Sequence, residues 1–309
     1  MILSVARRVT PALGAVVALA ACGDTAGRDA GERPYVVATT GIWADIARRV
    51  ACDGGLDVRT IVPAGGDPHS FEPSLADRQM LDGATLVVAN GLGLEETLDD
   101  TLQRVEAGGV PVFRAGEQVD TIGGSEHGGG DEDGDGADPH IWLDPTRVAD
   151  ALPALGAALV EAGVDRATVD RCVTGSQADL ARLDEELAST FAAIPAARRK
   201  LVTNHDALGY LADRYDLEIV GSVLPSTSTL TEASTGELEE LGTAVEEAGV
   251  PVIFTERLGN SADAEALADR FGVEVVELYS DALGEEGSGA DTYDGMLRTD
   301  ATAIADALS

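Results

Sequence analysis

Short runs of β-branched and aliphatic residues alternate along this chain with longer stretches in which apolar residues recur every three or four positions. The short runs predict strands, and the longer stretches predict helices. In the first half, the predicted order is a strand at 35–39, a helix at 42–50, a strand at 58–62, a helix at 75–81 and a strand at 86–89. This alternation is typical of βαβ units, whose parallel strands form a sheet covered by helices.

A second set of short apolar runs follows after residue 200. It predicts strands at 200–203, 218–220, 251–254 and 273–278, with a helix at 208–215. The whole pattern therefore predicts an α/β fold with two lobes, each built on a parallel sheet flanked by helices. The length of 309 residues agrees, because domains average roughly 150 residues.

The stretch between the two sets predicts one long helix at 169–194, which Pro195 ends. Its apolar positions are three or four residues apart and are Leu180, Leu183, Leu187, Phe191 and Ile194. About 26 residues of helix reach roughly 40 Å at a rise of 1.5 Å per residue. We interpret this helix as a rigid spine that joins the two lobes, the alternative being a surface helix within one lobe.

The first 21 residues predict an export signal rather than part of the fold. Arg7 and Arg8 precede an apolar run at 9–21, which is too short for the roughly 20 apolar residues of a membrane span. The sequence Leu19-Ala20-Ala21-Cys22 resembles the cleavage site of a bacterial lipoprotein signal, in which Cys22 receives the lipid. The alternative is an ordinary secretory signal. Residues 22–33 are polar and Gly-rich, as expected of a flexible tether.

The chain carries a formal net charge of −34 at pH 7. A field of this sign repels the phosphates of nucleic acid and the headgroups of anionic lipid, and it attracts cations. The charge therefore argues against nucleic acid as a partner.

Three cysteines are present in the sequence. With Cys22 assigned to the lipid, Cys52 and Cys172 remain, and in an oxidising compartment two remaining cysteines favour a disulfide. The alternative is a pair of buried free thiols. Neither residue belongs to a C-x-x-C pair, so neither thioredoxin chemistry nor a thiolate zinc cluster is indicated.

The candidate chemistry lies in four short segments at the ends of predicted strands or turns. His69 and His140 each end the tripeptide Asp-Pro-His, in which proline stiffens the turn. His205 is predicted to leave a strand and open a helix, and Asp281 to do the same. Ligands of open α/β sheets bind beyond the carboxyl ends of strands. Three imidazoles and a carboxylate, two residues from each lobe, make a closed tetrahedral set suited to zinc.

These segments carry a resemblance to a known family. GGDPHSFEPS, DPHIWLDP, LVTNHDALGYLADRY and ELYSDALGEEGSGADTYDGML resemble signature segments of the zinc- and manganese-binding lipoproteins that serve ABC importers as solute-binding proteins. The resemblance extends from about residue 35 to 305. It implies that a metal ion lies between the lobes, bound by His69, His140, His205 and Asp281. Asp206 or Glu256 would orient His205. In the manganese-associated receptors a carboxylate often replaces His205.

The loop at 123–137 departs from the family. Zinc-binding members often carry a long His-rich insertion here, whereas this loop is acidic and Gly-rich with a single histidine. We expect a solvated spacer, the alternative being a weak metal-gathering loop. Its candidate metal-gathering residues are His127, Asp131, Glu132, Asp133 and Asp135.

The sequence predicts capture of an ion rather than catalysis, because a site closed by four protein ligands leaves no open position for a substrate. We expect a monomeric, lipid-anchored extracytoplasmic receptor that delivers Zn²⁺ to the membrane permease of an ABC importer with a cytoplasmic ATPase. The alternatives are a Mn²⁺ receptor of the same class, a metal-stapled adhesin and a metallohydrolase. The expected divisions are a signal peptide at 1–21, a tether at 22–33, lobes at 34–164 and 196–309, and a linking helix at 165–195.

Overall fold

Two separate parallel sheets organise the chain in the computed structural model. The described residues are 34–52, 56–123, 136–231, 233–257 and 262–309. The predicted signal peptide, the predicted tether with Cys22 and the five candidate residues of the acidic loop lie outside them. The residues from 33 onward form one compact unit.

The first sheet has the strand order β2-β1-β3-β4, and all of its strand pairs are parallel. Its strands are β1 (Tyr35–Ala38), β2 (Asp57–Thr60), β3 (Leu86–Ala89) and β4 (Val112–Arg114). The helices that follow β1, β2 and β3 are α1 (Gly41–Val50), α2 (Leu75–Asp82) and α3 (Asp99–Ala107). Together these elements are called the N-terminal lobe.

The second sheet repeats this topology, with the strand order β6-β5-β7-β8 and parallel pairing throughout. Its strands are β5 (Lys200–His205), β6 (Glu218–Leu224), β7 (Val252–Glu256) and β8 (Glu274–Leu278). The accompanying helices are α6 (Gly209–Tyr215), α7 (Thr235–Ala248), α8 (Ala262–Phe271) and α9 (Tyr293–Leu308). These elements are called the C-terminal lobe.

Two helices connect the lobes, α4 (Pro145–Glu161) and the 27-residue α5 (Arg166–Ala192). Helix α5 packs against α4, against α1 of the N-terminal lobe and against α9 of the C-terminal lobe. The predicted apolar stripe is its buried face, since Leu183 and Phe191 are almost completely inaccessible to solvent. The prediction of two parallel-sheet lobes and one long helix is confirmed.

Several elements escaped the prediction. Strand β4 and helices α3, α4, α7, α8 and α9 were not among the predicted elements. Apart from α4, α7 and α9, these elements are short, and alanine and glycine interrupt the regular spacing of large apolar residues in several of the helices. Strands β5, β6 and β7 also extend two to four residues beyond the predicted ends.

The apolar core is continuous between the lobes. One cluster of buried side chains includes Trp43 and Trp142 from the first part of the chain, Phe191 of α5, and Tyr210 and Tyr293 of the C-terminal lobe. Two smaller clusters cover the other faces of the two sheets. Because separating the lobes would expose parts of the shared cluster, the core resists wide opening. Among the described residues, no helix combines the length and apolar character of a membrane span.

Cys52 and Cys172 form a disulfide that ties the end of α1 to the second turn of α5. Their Cα atoms are 5.8 Å apart, and 120 residues separate them along the chain. In the chain-entropy account, closing a loop of this length stabilises the fold by about 4 to 5 kcal/mol.

We expect thiol titration of an unfolded, unreduced soluble form beginning at residue 34 to find no free thiol, and to find two after reduction. The double variant Cys52→Ser/Cys172→Ser should unfold at a clearly lower denaturant concentration, because its unfolded chain is no longer constrained. Two thiols that react before reduction would contradict the disulfide.

Candidate metal centre

Four buried side chains from the two lobes meet at the carboxyl edges of the sheets. His69 lies in the loop after β2, and His140 precedes a short 3₁₀ helix at Ile141–Leu143. His205 is the last residue of β5 and Asp281 follows the end of β8 by three residues. The expectation that His205 and Asp281 open helices is wrong. Helix α6 begins at Gly209, and the next helix after Asp281 is α9.

The side chains converge closely enough for one ion to contact all four. One ligand atom from each residue lies within 4.8 Å of the others. The Nε2 atoms of His140 and His205 are 3.1 Å apart, and Asp281 carboxylate oxygens lie 3.6 to 4.0 Å from the Nε2 atoms of His205, His140 and His69. Ligands at 2.0–2.1 Å around tetrahedral zinc are separated by about 3.3 Å. The cluster therefore has nearly the size that such an ion requires.

Burial distinguishes this cluster from an ordinary polar surface. His69 is 1% exposed, His140 and His205 are 0% exposed, and Asp281 is 7% exposed. Both ring nitrogens of His69 and Oδ1 of Asp281 lack a hydrogen-bond partner among the described residues. Unpaired buried polar atoms cost stability unless a ligand satisfies them. Three nitrogens and one oxygen fit a zinc ion.

Two carboxylates hold the imidazole rings. Asp138 Oδ1 lies 2.7 Å from Nδ1 of His140 and also accepts the backbone N–H of His140. Glu256 contacts Nδ1 of His205 through Oε1. Each contact leaves Nε2 of the ring directed at the cluster, which is how carboxylates orient ligating histidines.

Of the orienting residues expected from the sequence, the structure places Glu256 against His205. Asp206 is buried and its backbone N–H donates to the Ser226 carbonyl, so its orienting role stays a prediction. Asp138 was missed, although the repeated Asp-Pro-His tripeptide was a signal that could have found it. The first tripeptide works differently, because Asp67 accepts the backbone N–H of His69 and not its ring.

The surroundings also set the charge of the imidazoles. Burial, together with repulsion from the other two histidines, lowers the pKa of His69 to about 3. Burial likewise holds the pKa of His140 well below its usual value. Burial also acts to lower the pKa of His205, but the carboxylates of Glu256 and Asp281 outweigh this effect and raise the pKa to about 9. His69 and His140 are thus neutral donors at pH 7, the form that binds a metal.

A buried network of hydrogen bonds supports the loop that carries His140. The side-chain Nδ2 of Asn90 donates to the carbonyl of Pro139, and its Oδ1 accepts from Trp43 Nε1. The carboxylate of Glu95 in turn accepts the backbone N–H of Asn90 and the hydroxyl of Thr39. Sequence analysis missed this network, because its members are far apart along the chain.

We expect Asn90→Asp to weaken zinc binding about tenfold, since an aspartate cannot donate to the Pro139 carbonyl and the loop before His140 loses its support. Tyr35→Phe is the control, because it removes another side-chain hydrogen bond to a carbonyl, that of Met80, on the other face of the sheet. Competition titrations and melting curves should show lower stability in both variants and weaker binding only in Asn90→Asp. Equal affinities would show that Asn90 serves stability alone.

Hydrogen bonds between the lobes fix the ligand loops relative to one another. Tyr210 donates its hydroxyl to the Asp138 carbonyl at 2.8 Å, and Trp142 Nε1 donates to the Ser280 carbonyl at 2.7 Å. Thr229 Oγ1 donates to Asp67 Oδ2 at 2.7 Å. Each of these bonds joins a residue within two positions of a cluster member to the opposite lobe.

Residues 36–307 match the family described as ZnuA, zinc-uptake complex component A, periplasmic. The chain belongs to this family. Membership makes it a solute-binding receptor and not an enzyme.

Relatives match the chain over nearly its full length. It is 30% identical to the manganese-binding lipoprotein MntA of Halalkalibacterium halodurans, over 95% of this chain and 96% of the relative. It is 31% identical to the zinc-binding protein TroA of Treponema pallidum, over 90% and 89% of the two chains. The periplasmic zinc-binding protein TroA structure superposes with a TM-score of 0.80 and 28% identity, covering 90% of this chain and all of that one.

Proposed function

We propose that this protein is an extracytoplasmic zinc receptor that delivers its ion to the membrane permease of an ABC importer powered by a cytoplasmic ATPase. The observation that carries the proposal is the convergence of three imidazoles and one carboxylate at a buried site between the two lobes. His69, His140, His205 and Asp281 bind the ion, while Asp138 and Glu256 orient two of the imidazoles.

Donor chemistry supports zinc over manganese. Imidazole suits zinc better than it suits manganese, and zinc also stands above manganese in intrinsic affinity for nitrogen and oxygen sites. Manganese is the second candidate, because relatives of comparable identity are named manganese-binding lipoproteins. Glu256 beside His205 supports it further, since a harder ion favours oxygen donors.

Metal analysis of protein purified without chelators tests this assignment. We expect one zinc per chain, and equilibrium dialysis against equal concentrations of both ions should leave zinc bound. Stoichiometric manganese would select the second candidate. Absence of any tightly bound divalent ion would overturn the proposed function.

The cellular setting follows from the same proposal. Relatives named lipoproteins support cleavage of residues 1–21 and lipid attachment at Cys22. The segment at 22–33 then tethers a monomeric two-lobe receptor to the membrane surface. The lobes at 34–164 and 196–309 are joined by the segment at 165–195.

A further inference from the structure

A cavity of about 320 Å³ adjoins the metal cluster. Of the four cluster residues, Asp281 alone lines it, whereas the three histidines are sealed from solvent. Residues of both lobes form its wall, including Asp67 and Thr229, whose side chains are hydrogen-bonded to each other across the lobes. The volume accommodates a divalent ion with about six waters at roughly 30 Å³ each.

Charge on the wall of this cavity favours cations. Four carboxylates line it, from Asp67, Glu256, Asp281 and Glu285, against the single guanidinium of Arg257. Two of these carboxylates contact cluster histidines. Glu256 contacts His205, and Asp67 accepts the backbone N–H of His69. The carboxylate Oδ1 of Asp281 has no hydrogen-bond partner among the described residues and is more than nine-tenths buried.

A second cavity, of about 250 Å³, also reaches Asp281. It is lined by the start of α1 and by Arg48, and also by the carboxylates of Asp281, Glu286 and Asp291. The positive end of a helix dipole and a guanidinium both oppose an approaching cation. The wall of the first cavity therefore carries one carboxylate more than the wall of the second, and no helix N-terminus among the described residues lines it.

We propose that the cavity lined by Asp67, Glu256 and Glu285 is the route by which a hydrated divalent cation enters and leaves the centre, and that Asp281 is the carboxylate that binds the ion first. Entry past an oxygen donor lets the ion exchange waters stepwise before it reaches the imidazoles. This inference rests on the proposed function, and it concerns the rates of binding rather than the equilibrium.

The loop after β8 offers a matched pair of variants. Glu285 lines only the first cavity and Glu286 lines only the second, and both side chains are exposed neighbours of equal charge. Glu285→Trp and Glu286→Trp add the same bulk to different cavities and remove the same charge. Glu285→Gln and Glu286→Gln remove the charge alone. Ser288→Trp fills the first cavity from another exposed position.

Stopped-flow measurement of Co²⁺ absorption gives the association rate, and excess chelator gives the dissociation rate. Glu285→Trp and Ser288→Trp should slow both rates at least tenfold and leave the dissociation constant within threefold of wild type. Glu286→Trp should match Glu286→Gln. Glu285→Gln should lower only the association rate, about twofold, and less at high ionic strength.

Three other results would contradict the proposed route or the proposed function. Slowing by Glu286→Trp, with unchanged rates in Glu285→Trp and Ser288→Trp, would assign entry to the second cavity. Unchanged rates in all three tryptophan variants, with Co²⁺ still tightly bound, would overturn the route and show that ions enter by separation of the lobes. If the wild-type protein does not bind Co²⁺ at all, the proposed function itself is overturned.

Discussion

The variants His69→Ala, His140→Ala and His205→Ala should each bind zinc more weakly than wild type, by on the order of a thousandfold. Each imidazole is one of four donors in a buried site. The continuous core that holds the lobes limits how far a neighbouring side chain can move in to replace a lost imidazole. Asp281→Ala should cost less, because water from the adjoining cavity can supply an oxygen. Competition titration with a chromophoric zinc chelator measures the four constants.

The apo forms of these variants should differ in stability in a predictable order. The ring nitrogens of His69 have no hydrogen-bond partner among the described residues, so His69→Ala should leave the melting temperature nearly unchanged. His140→Ala and His205→Ala leave Asp138 and Glu256 without their imidazole partners and should be less stable. His127→Ala is the control for loss of a histidine. Nanomolar binding retained by any two of the three variants would contradict the site.

The second large effect concerns the metal that the site prefers. His205→Glu replaces a nitrogen donor by a carboxylate beside Glu256 and Asp281. The added oxygen suits manganese better than imidazole does, and a divalent cation relieves the repulsion among the three carboxylates. We expect the ratio of zinc affinity to manganese affinity to fall about tenfold or more, although zinc should still bind more tightly than manganese.

His205→Gln separates donor type from charge in this experiment, because it offers a neutral oxygen at the same position. Titrations of wild type and both variants with each metal should show a larger fall in the ratio for glutamate than for glutamine. A ratio that is unchanged or larger in His205→Glu would show that the geometry of the lobes, rather than donor type, sets the preference.

The sequence alone determined the fold class and the identities of the candidate ligands. Strand and helix periods are local properties, so the alternation at 35–89 and the stripe of α5 could be read directly. Asp-Pro-His at two positions and the scarcity of histidine drew attention to His69 and His140. These features depend on residues close together in the chain.

Only the tertiary structure decided which groups surround those ligands. Asn90 meets Pro139 across 49 residues, Trp142 meets Ser280 across 138, and Thr229 meets Asp67 across 162. No local period encodes such contacts, because they arise from the way the two sheets dock on α5. The same docking leaves two cavities beside Asp281 and buries the histidines. Burial and charge at the centre are therefore properties of the packed lobes, since each lobe supplies only half of the donors.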